Sequence, residues 1–197
     1  FFKSLENAFY LDPSGSDDFG DLFIKRNGSG AVVKGVSVDL RMNYSKIIQF
    51  ESGITLQKSK YDNPVSYSND LYAVSSFLKT PNIYGHANLY HMINDNFNIS
   101  LNYIYTGKMD LVHMGGSFNN PTDKYVSSNN FHQFDVNINY IQNLEKIGVK
   151  LNYLIGVKNL TNSYQSDFDI LKNRDSNYVY GPSTPRMLVF GLSLSSL

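Results

Sequence analysis

The chain has 197 residues, enough for one domain, and its 17 basic and 17 acidic side chains cancel to a formal charge of +0. A balanced chain with no basic block offers nucleic acid nothing to bind, and the absence of cysteine excludes disulfides, thiolate catalysis and cysteine-held metals. Tyr (15) and Phe (13) are abundant, no apolar run approaches the length of a membrane-crossing helix, and a mean hydropathy of −0.29 suits strands that keep one face in water.

Alternating apolar and polar residues are the signature of a β-strand with one oily and one wet face. A weak run of this kind spans residues 1–11. The sequence starts Phe1-Phe2-Lys3 with the pattern already under way and neither an initiator Met nor a signal peptide, so it reads as a fragment or a processed C-terminal part. Over residues 32–44, Val32, Val36, Val38, Leu40, Met42 and Tyr44 oppose Gly35, Ser37, Asp39, Arg41 and Asn43. Over 46–57, Ile48, Phe50, Ile54 and Leu56 oppose Gln49, Glu51, Thr55 and Gln57. A weaker run covers 83–93. In "FNISLNYIYT" (97–106), Phe97, Ile99, Leu101, Tyr103 and Tyr105 alternate with Asn98, Ser100, Asn102 and Thr106, and Ile104 is the one exception. Residues 131–140 set Phe134, Val136, Ile138 and Tyr140 against Gln133, Asp135, Asn137 and Asn139. Residues 147–157 set Ile147, Val149, Leu151, Tyr153, Ile155 and Val157 against Gly148, Lys150, Asn152 and Gly156. The last run places Leu188, Phe190, Leu192 and Leu194 on one face. About eight strands result, with no amphipathic helix.

Short polar turns at 44–46, 94–96 and 143–146 alternate with long Gly/Ser/Asn/Pro-rich connections at 12–20, 62–80, 110–130 and 161–185. In an up-and-down meander this puts every short turn at one end and every long loop at the other, as in an outer-membrane barrel. A soluble sandwich would carry Lys and Glu on its wet face and use shorter strands. Here the wet face is Asn, Ser, Gln, Thr and Gly, and aromatics (Tyr44, Phe50, Phe97, Tyr103, Tyr105, Phe134, Tyr140) lie near the ends of the oily stretches, as interfacial girdles do. The fold class expected is therefore all-β, an antiparallel transmembrane barrel wall occupying residues 1–197 as part of one domain. Eight strands can close alone or form one arc of a larger barrel.

Four segments bear on that choice: "RNGSGAVVKGVSVDL" (26–40), "TPNIYGHANLYHMINDNFNISLNYIYTG" (80–107), "GVKNLTNSYQSDFD" (156–169) and "RDSNYVYGPSTPRMLVFGLSL" (174–194). In order and spacing they resemble the C-terminal part of TonB-dependent outer-membrane receptors, with their "GS…VKGVE" strand opening, "GVxNLFN…Y" strand exit and final "G…P…PR…G" strand. Thr161 stands where the family usually has Phe, and Leu197 where a terminal aromatic is common. The resemblance implies the last eight or so strands of a 22-stranded barrel. The plug and the TonB-contacting motif would lie upstream. It also implies a bacterial outer-membrane location, lipid around the wall, the barrel-insertion machinery reading the final strand, and import of a scarce nutrient. A ferric siderophore comes first, then cobalamin or haem.

Within the resemblance, the ligand-facing candidates are His113, Met114, Phe118 and Tyr125 in one long loop and Arg174, Tyr178 and Tyr180 in another, because aromatic and cationic groups suit planar anionic chelates. Asn159 and Leu160 read as a strand-to-loop corner, Gly181, Pro182 and Pro185 as loop geometry, and Arg186 as half of an ion pair. Asp12, Asp17, Asp18 and Asp21 cluster without the ligand spacing of a calcium loop and read as a solvated loop. Glu51 and Asp135 face the wet side by parity, with no nucleophile or base at a fixed spacing, so no enzyme, metal or cofactor is expected. Haem ligation is disfavoured because His86 and His91 lie on opposite faces. Two other readings compete: a self-contained eight-stranded barrel with a structural or adhesive role, and a soluble β-sandwich binding module.

Overall fold

The computed structural model describes residues 1–17 and 20–196; Asp18 and Leu197 lie outside that range. The strands in chain order are β1 (Phe2–Leu5), β2 (Phe9–Asp17), β3 (Gly20–Asn27), β4 (Ala31–Tyr44), β5 (Ile48–Val65), β6 (Val74–Ser76), β7 (Ile83–Asn94), β8 (Phe97–Thr106), β9 (Asp110–His113), β10 (Lys124–Ser127), β11 (Phe131–Leu144), β12 (Val149–Lys158) and β13 (Met187–Ser196). Among the described residues a single 3-10 turn, Glu145–Ile147, interrupts them, and it closes on Gly148 at φ 64°, a left-handed position that glycine takes without steric cost.

The main sheet runs β1-β4-β5-β7-β8-β11-β12-β13, with β6 added beside β5. Every pairing in it is antiparallel, and the wall strands from β4 on follow sequence order, as in a meander. β1 and β13 are its two edges and do not pair, so the sheet is an open arc. The closed eight-stranded arrangement is therefore not the one found.

Expectations about four segments are corrected. The run over 1–11 is not one strand. Polar Glu6 and Asn7 break its alternation, and Ala8 bonds to Gly28 and Ser29 instead of continuing along β4. β2 then leaves the wall to pair with β3, so the 12–20 connection is mostly hairpin. β5 continues past Gln57 to Val65, because Lys58 to Tyr61 keep their ladder with β4. The 110–130 connection contains its own hairpin, β9–β10.

The two faces of the wall differ as the alternation requires. On β13, Leu188, Phe190, Leu192 and Leu194 are 65–68% exposed at the aliphatic positions and 71% at Phe190, and Val36, Val38, Leu40 and Met42 of β4 are likewise exposed. A soluble sandwich would bury such a row against a second sheet; here the row is exposed along the strand, as suits a wall facing lipid. Aromatic clusters flank the band. Near the long-loop ends Tyr103 stacks on Phe134 at 4.4 Å and bonds His132 Nδ1 at 2.9 Å, and near the short-turn ends Tyr140 lies 6.1 Å from Tyr153.

The other face is a polar ladder. Arg41 donates to Glu51 at 2.9 Å, Ser37 and Thr55 share a hydrogen bond at 2.8 Å, and Asn139 donates to Asn98 at 3.1 Å. A Cβ at Gly53 would lie 2.5 Å from Asp39 Oδ1 and 2.8 Å from His86 Cε1, so only glycine leaves room for those two side chains to converge. His91 sits on the oily side, opposite in parity to His86, as the sequence indicates.

Candidate functional site

The buried core lies in the long connections, above the polar face. Met109, Leu111, Phe131 and Tyr178 form it, and Leu111 is 0% exposed. The connection between β12 and β13 starts at Asn159, whose φ of 49° turns the chain sharply out of the strand. Asp135 Oδ1 accepts from Asn159 N at 2.8 Å, while the Asn159 amide donates to Thr184 O at 2.9 Å, which ties the two ends of the connection together. Asn159 thus acts as the corner that the sequence indicates. The ion pair expected of Arg186 is not found among the described residues; its backbone N–H donates to Asn162 Oδ1 at 2.9 Å.

Gln165, only 1% exposed, draws the same connection into a compact form. Its amide donates to Tyr178 O at 2.9 Å, its carbonyl accepts from Tyr180 N at 2.9 Å, and its backbone N–H donates to Pro182 O at 2.9 Å. Asp167 accepts from both Tyr178 Oη at 2.8 Å and Tyr180 Oη at 2.7 Å. Burial, followed by this carboxylate, pushes the Tyr178 phenol up to about 12 and the Tyr180 phenol up as well, so both stay neutral donors.

His113 joins the two long connections. Its Nε2 lies 2.9 Å from Asp169 Oδ1, both side chains are buried, and its ring stacks on Tyr178 at 3.6 Å. Burial tends to raise the Asp169 pKa. That is outweighed by the Asp175 N–H, the His113 hydrogen bond and Ser117, and the carboxyl is held below its ordinary value. An ionised carboxylate can only accept, so Nε2 carries the proton. Asp175 extends the clasp by accepting from Met114 N at 2.9 Å.

Beside this clasp opens a cavity of ≈ 470 Å³, the size of a small-molecule site. Its aromatic walls are Phe9, Tyr10, Tyr61, Tyr67 and Phe77, and Met114 and two cations, Lys25 and Lys79, also line it. Tyr61 packs on Phe77 at 4.3 Å and donates to Phe9 O at 3.3 Å. The Lys25 ammonium sits 4.8 Å above the Phe9 ring, and Lys79 donates to Asn177 O. Burial, then a hydrogen bond in which Tyr67 donates to Tyr61, pushes the Tyr67 phenol upward and keeps it neutral. Planar walls with cations among them can hold a planar anion by stacking and charge together.

The residues singled out in the sequence fall in different places. Met114 lines this cavity. Arg174 and Tyr178 line a neighbouring basin of ≈ 670 Å³. Tyr125 donates to Tyr72 O at 2.7 Å and packs edge-on against that ring at 5.1 Å. Burial, followed by Tyr72, raises the Tyr125 pKa. Phe118 is 78% exposed. His113, Tyr178 and Tyr180 are brought together around Asp167 and Asp169. Lys25, Lys79, Tyr67 and Phe77 were not singled out by sequence, although the density of aromatics between Tyr61 and Tyr84 signals the site. Of the acidic group, Asp12 is ion-paired with Arg26 at 2.7 Å. Among the described residues no group of His, Cys, Asp and Glu is disposed to hold a metal.

No protein-family model and no curated protein matches the chain. Solved structures do, among them these two. One is the closed form of the ferric-catecholate import receptor Fiu from E. coli K12, 20% identical, TM-score 0.65, covering 100% of this chain and 24% of that one. The other is the FrpB iron transporter from Neisseria meningitidis, 14% identical, TM-score 0.58, covering 97% and 27%. The chain spans about a quarter of the length of each. At these identities the likeness is one of fold.

Proposed function

We propose, from a chain that has the TonB-dependent receptor barrel-like fold, that it forms wall and loop mouth of an outer-membrane receptor importing a ferric siderophore. The observation that carries this reading is the cavity lined by Tyr61, Tyr67 and Phe77 together with Lys25 and Lys79, on the loop side of a wall whose outer face suits lipid. A catecholate chelate is planar in its arms and anionic overall, and both properties match. Met114 contributes lining, Arg174 and Phe118 meet the chelate from the neighbouring loop surfaces, and Tyr125 orders the rim. His113, Tyr178 and Tyr180 hold the mouth in shape. The chain binds and passes its ligand without chemistry. Energy arrives through TonB acting on a plug region formed by other residues of the receptor, and β13 is the strand read by the insertion machinery.

The test is binding of a ferric catecholate to the full-length protein in detergent, followed by fluorescence quenching, with growth on that chelate under iron limitation. Lys25→Ala with Lys79→Ala is expected to weaken binding by about ten- to a hundredfold, the worth of two partly desolvated cations facing an aromatic anion. Unchanged affinity would refute the assignment of this cavity, and binding of neither catecholate nor any other ferric chelate would refute the transport reading.

A further inference from the structure

The oily outer row of β5 runs Ile54, Leu56 and then, without a break in parity, Lys58, Lys60 and Asp62. On β4 the same row runs Leu40, Val38, Val36 and then Lys34 and Val32. The register sets Lys34 directly opposite Lys58, and Val32 opposite Lys60. Three ammonium groups therefore lie together on the lipid-facing side, one step above the last apolar pair, Val36 and Leu56, at the end that carries the long loops.

This placement is not that of an ordinary solvated strand end. Like charges directly opposite one another on a sheet face repel. All three lysines are exposed, and among the described residues none has a carboxylate within ion-pair distance. They share a hollow of ≈ 490 Å³ with Val32, Asp62 and Ser75, where β6 folds alongside β5. One carboxylate faces three cations there, so the hollow stays positive. On the opposite face, at the same level, Thr55 and Ser59 are buried beneath the loops. The cations thus belong to the outer row of the wall, and Tyr61, on the other parity, lines both this hollow and the ligand cavity.

We infer that Lys34, Lys58 and Lys60 form a binding site for the phosphate-bearing headgroup of an outer-leaflet lipid, whose acyl chains lie along Val36, Val38, Leu56 and Ile54 below. The inference rests on the outer-membrane reading of the wall. An anion offsets the Lys34–Lys58 repulsion, the apolar row continues directly beneath the charges, and the hollow beside β6 supplies a concave seat. A soluble phosphate would satisfy the charges and leave the apolar row unused, so the lipid is the better occupant. Each basic side chain near an anionic lipid surface is worth about a fivefold gain in binding, and three together roughly a hundredfold.

The experiment uses the full-length protein, extracted from the outer membrane in mild detergent, with bound lipid identified by native mass spectrometry and its phosphorus counted. The triple variant Lys34→Gln, Lys58→Gln, Lys60→Gln is compared with wild type and with Lys46→Gln, Lys146→Gln, Lys150→Gln, which removes equal charge at the short-turn end. Heat-modified gel migration reports folding of all three. The expected result is a phosphorylated lipid retained by wild type and by the short-turn variant. The triple variant should bind vesicles containing that lipid roughly a hundredfold more weakly. Equal retention by all three proteins overturns the site, and so does displacement of the lipid by inorganic phosphate at matched concentration. A protein that reaches the outer membrane and binds its ferric chelate but shows either result loses this site alone. A protein absent from the outer-membrane fraction takes the transport reading down as well.

Discussion

The wall and the loop region above it bury apolar side chains into different solvents. In the wall Leu188, Phe190, Leu192 and Leu194 point away from the protein, and the sheet has no core of its own. Above it Leu111 and Met109 of the loops pack with Phe131 at the loop end of β11, and buried Gln165 and Asp169 are hydrogen-bonded to backbone. Each region asks something different of its sequence. A strand in lipid needs a repeating outer row and a paired backbone. A loop cluster in water needs particular partners that lie far apart in the chain, as His113 and Asp169 do.

The sharpest way to break this comparison is to put charge on the outer row. Val38→Arg together with Leu40→Arg is expected to destabilise the folded protein in bilayers by about 2–4 kcal/mol per residue, the cost of a cation near the midplane. Asn88→Arg on the inner face should cost far less. Folded fractions of the full-length protein in lipid vesicles, from urea titration, give both numbers. Comparable losses on the two faces would mean that the outer row does not meet lipid.

The wall was legible in the sequence because its rule is periodic. β8 is found as read at Phe97–Thr106, and the exposed row of β13 is the one its alternation marks. Failures came where that rule stops. Glu6 and Asn7 end β1 after four residues, and nothing local shows that β2 then pairs with β3. β9 and β10 have four residues each, too few for a period to register. The Asn159 corner was legible because its chemistry is local. The cavity was only half legible, since Lys25, Tyr67, Lys79 and Met114 come from four separate stretches that meet only after folding. Gln165 left no trace at all, because its four hydrogen bonds depend on where residues 178–182 return.

Leu111→Ala tests the loop half of the comparison. A fully buried Leu replaced by Ala costs about 2–5 kcal/mol, and here about 3 kcal/mol is expected because the surrounding Phe131 and Tyr178 are rigid aromatics that fill a void poorly. The loss should be confined to the loops. Amide exchange would accelerate in β9, β10 and residues 160–186 while β8, β11 and β12 keep their protection. Equal acceleration in the wall strands would make wall and loops one cooperative unit and remove the distinction between them.

A smaller effect distinguishes the two regions by pH. The Asp169 carboxyl has its pKa lowered in the folded loops from an ordinary value of 3.8, so the stability it contributes is complete above that value and is lost as pH falls through the lower, folded one. Tyr178 behaves in the opposite sense. Its phenol rises from 10.0 to about 12, so the stability it contributes is present below pH 10 and is lost as pH climbs from there toward 12. The loops should therefore open at both extremes, with faster amide exchange around His113 and Gln165, while the outer row of the wall, which carries no titrating group between Val36 and Met42, stays closed. Asp169→Asn should flatten the acid limb and cost about 1 kcal/mol of loop stability at neutral pH, and Tyr178→Phe should flatten the alkaline limb. If acid opened wild type and Asp169→Asn alike, the carboxylate would not be the clasp, and the His113 contact would be an incidental neighbour of a loop held by its backbone.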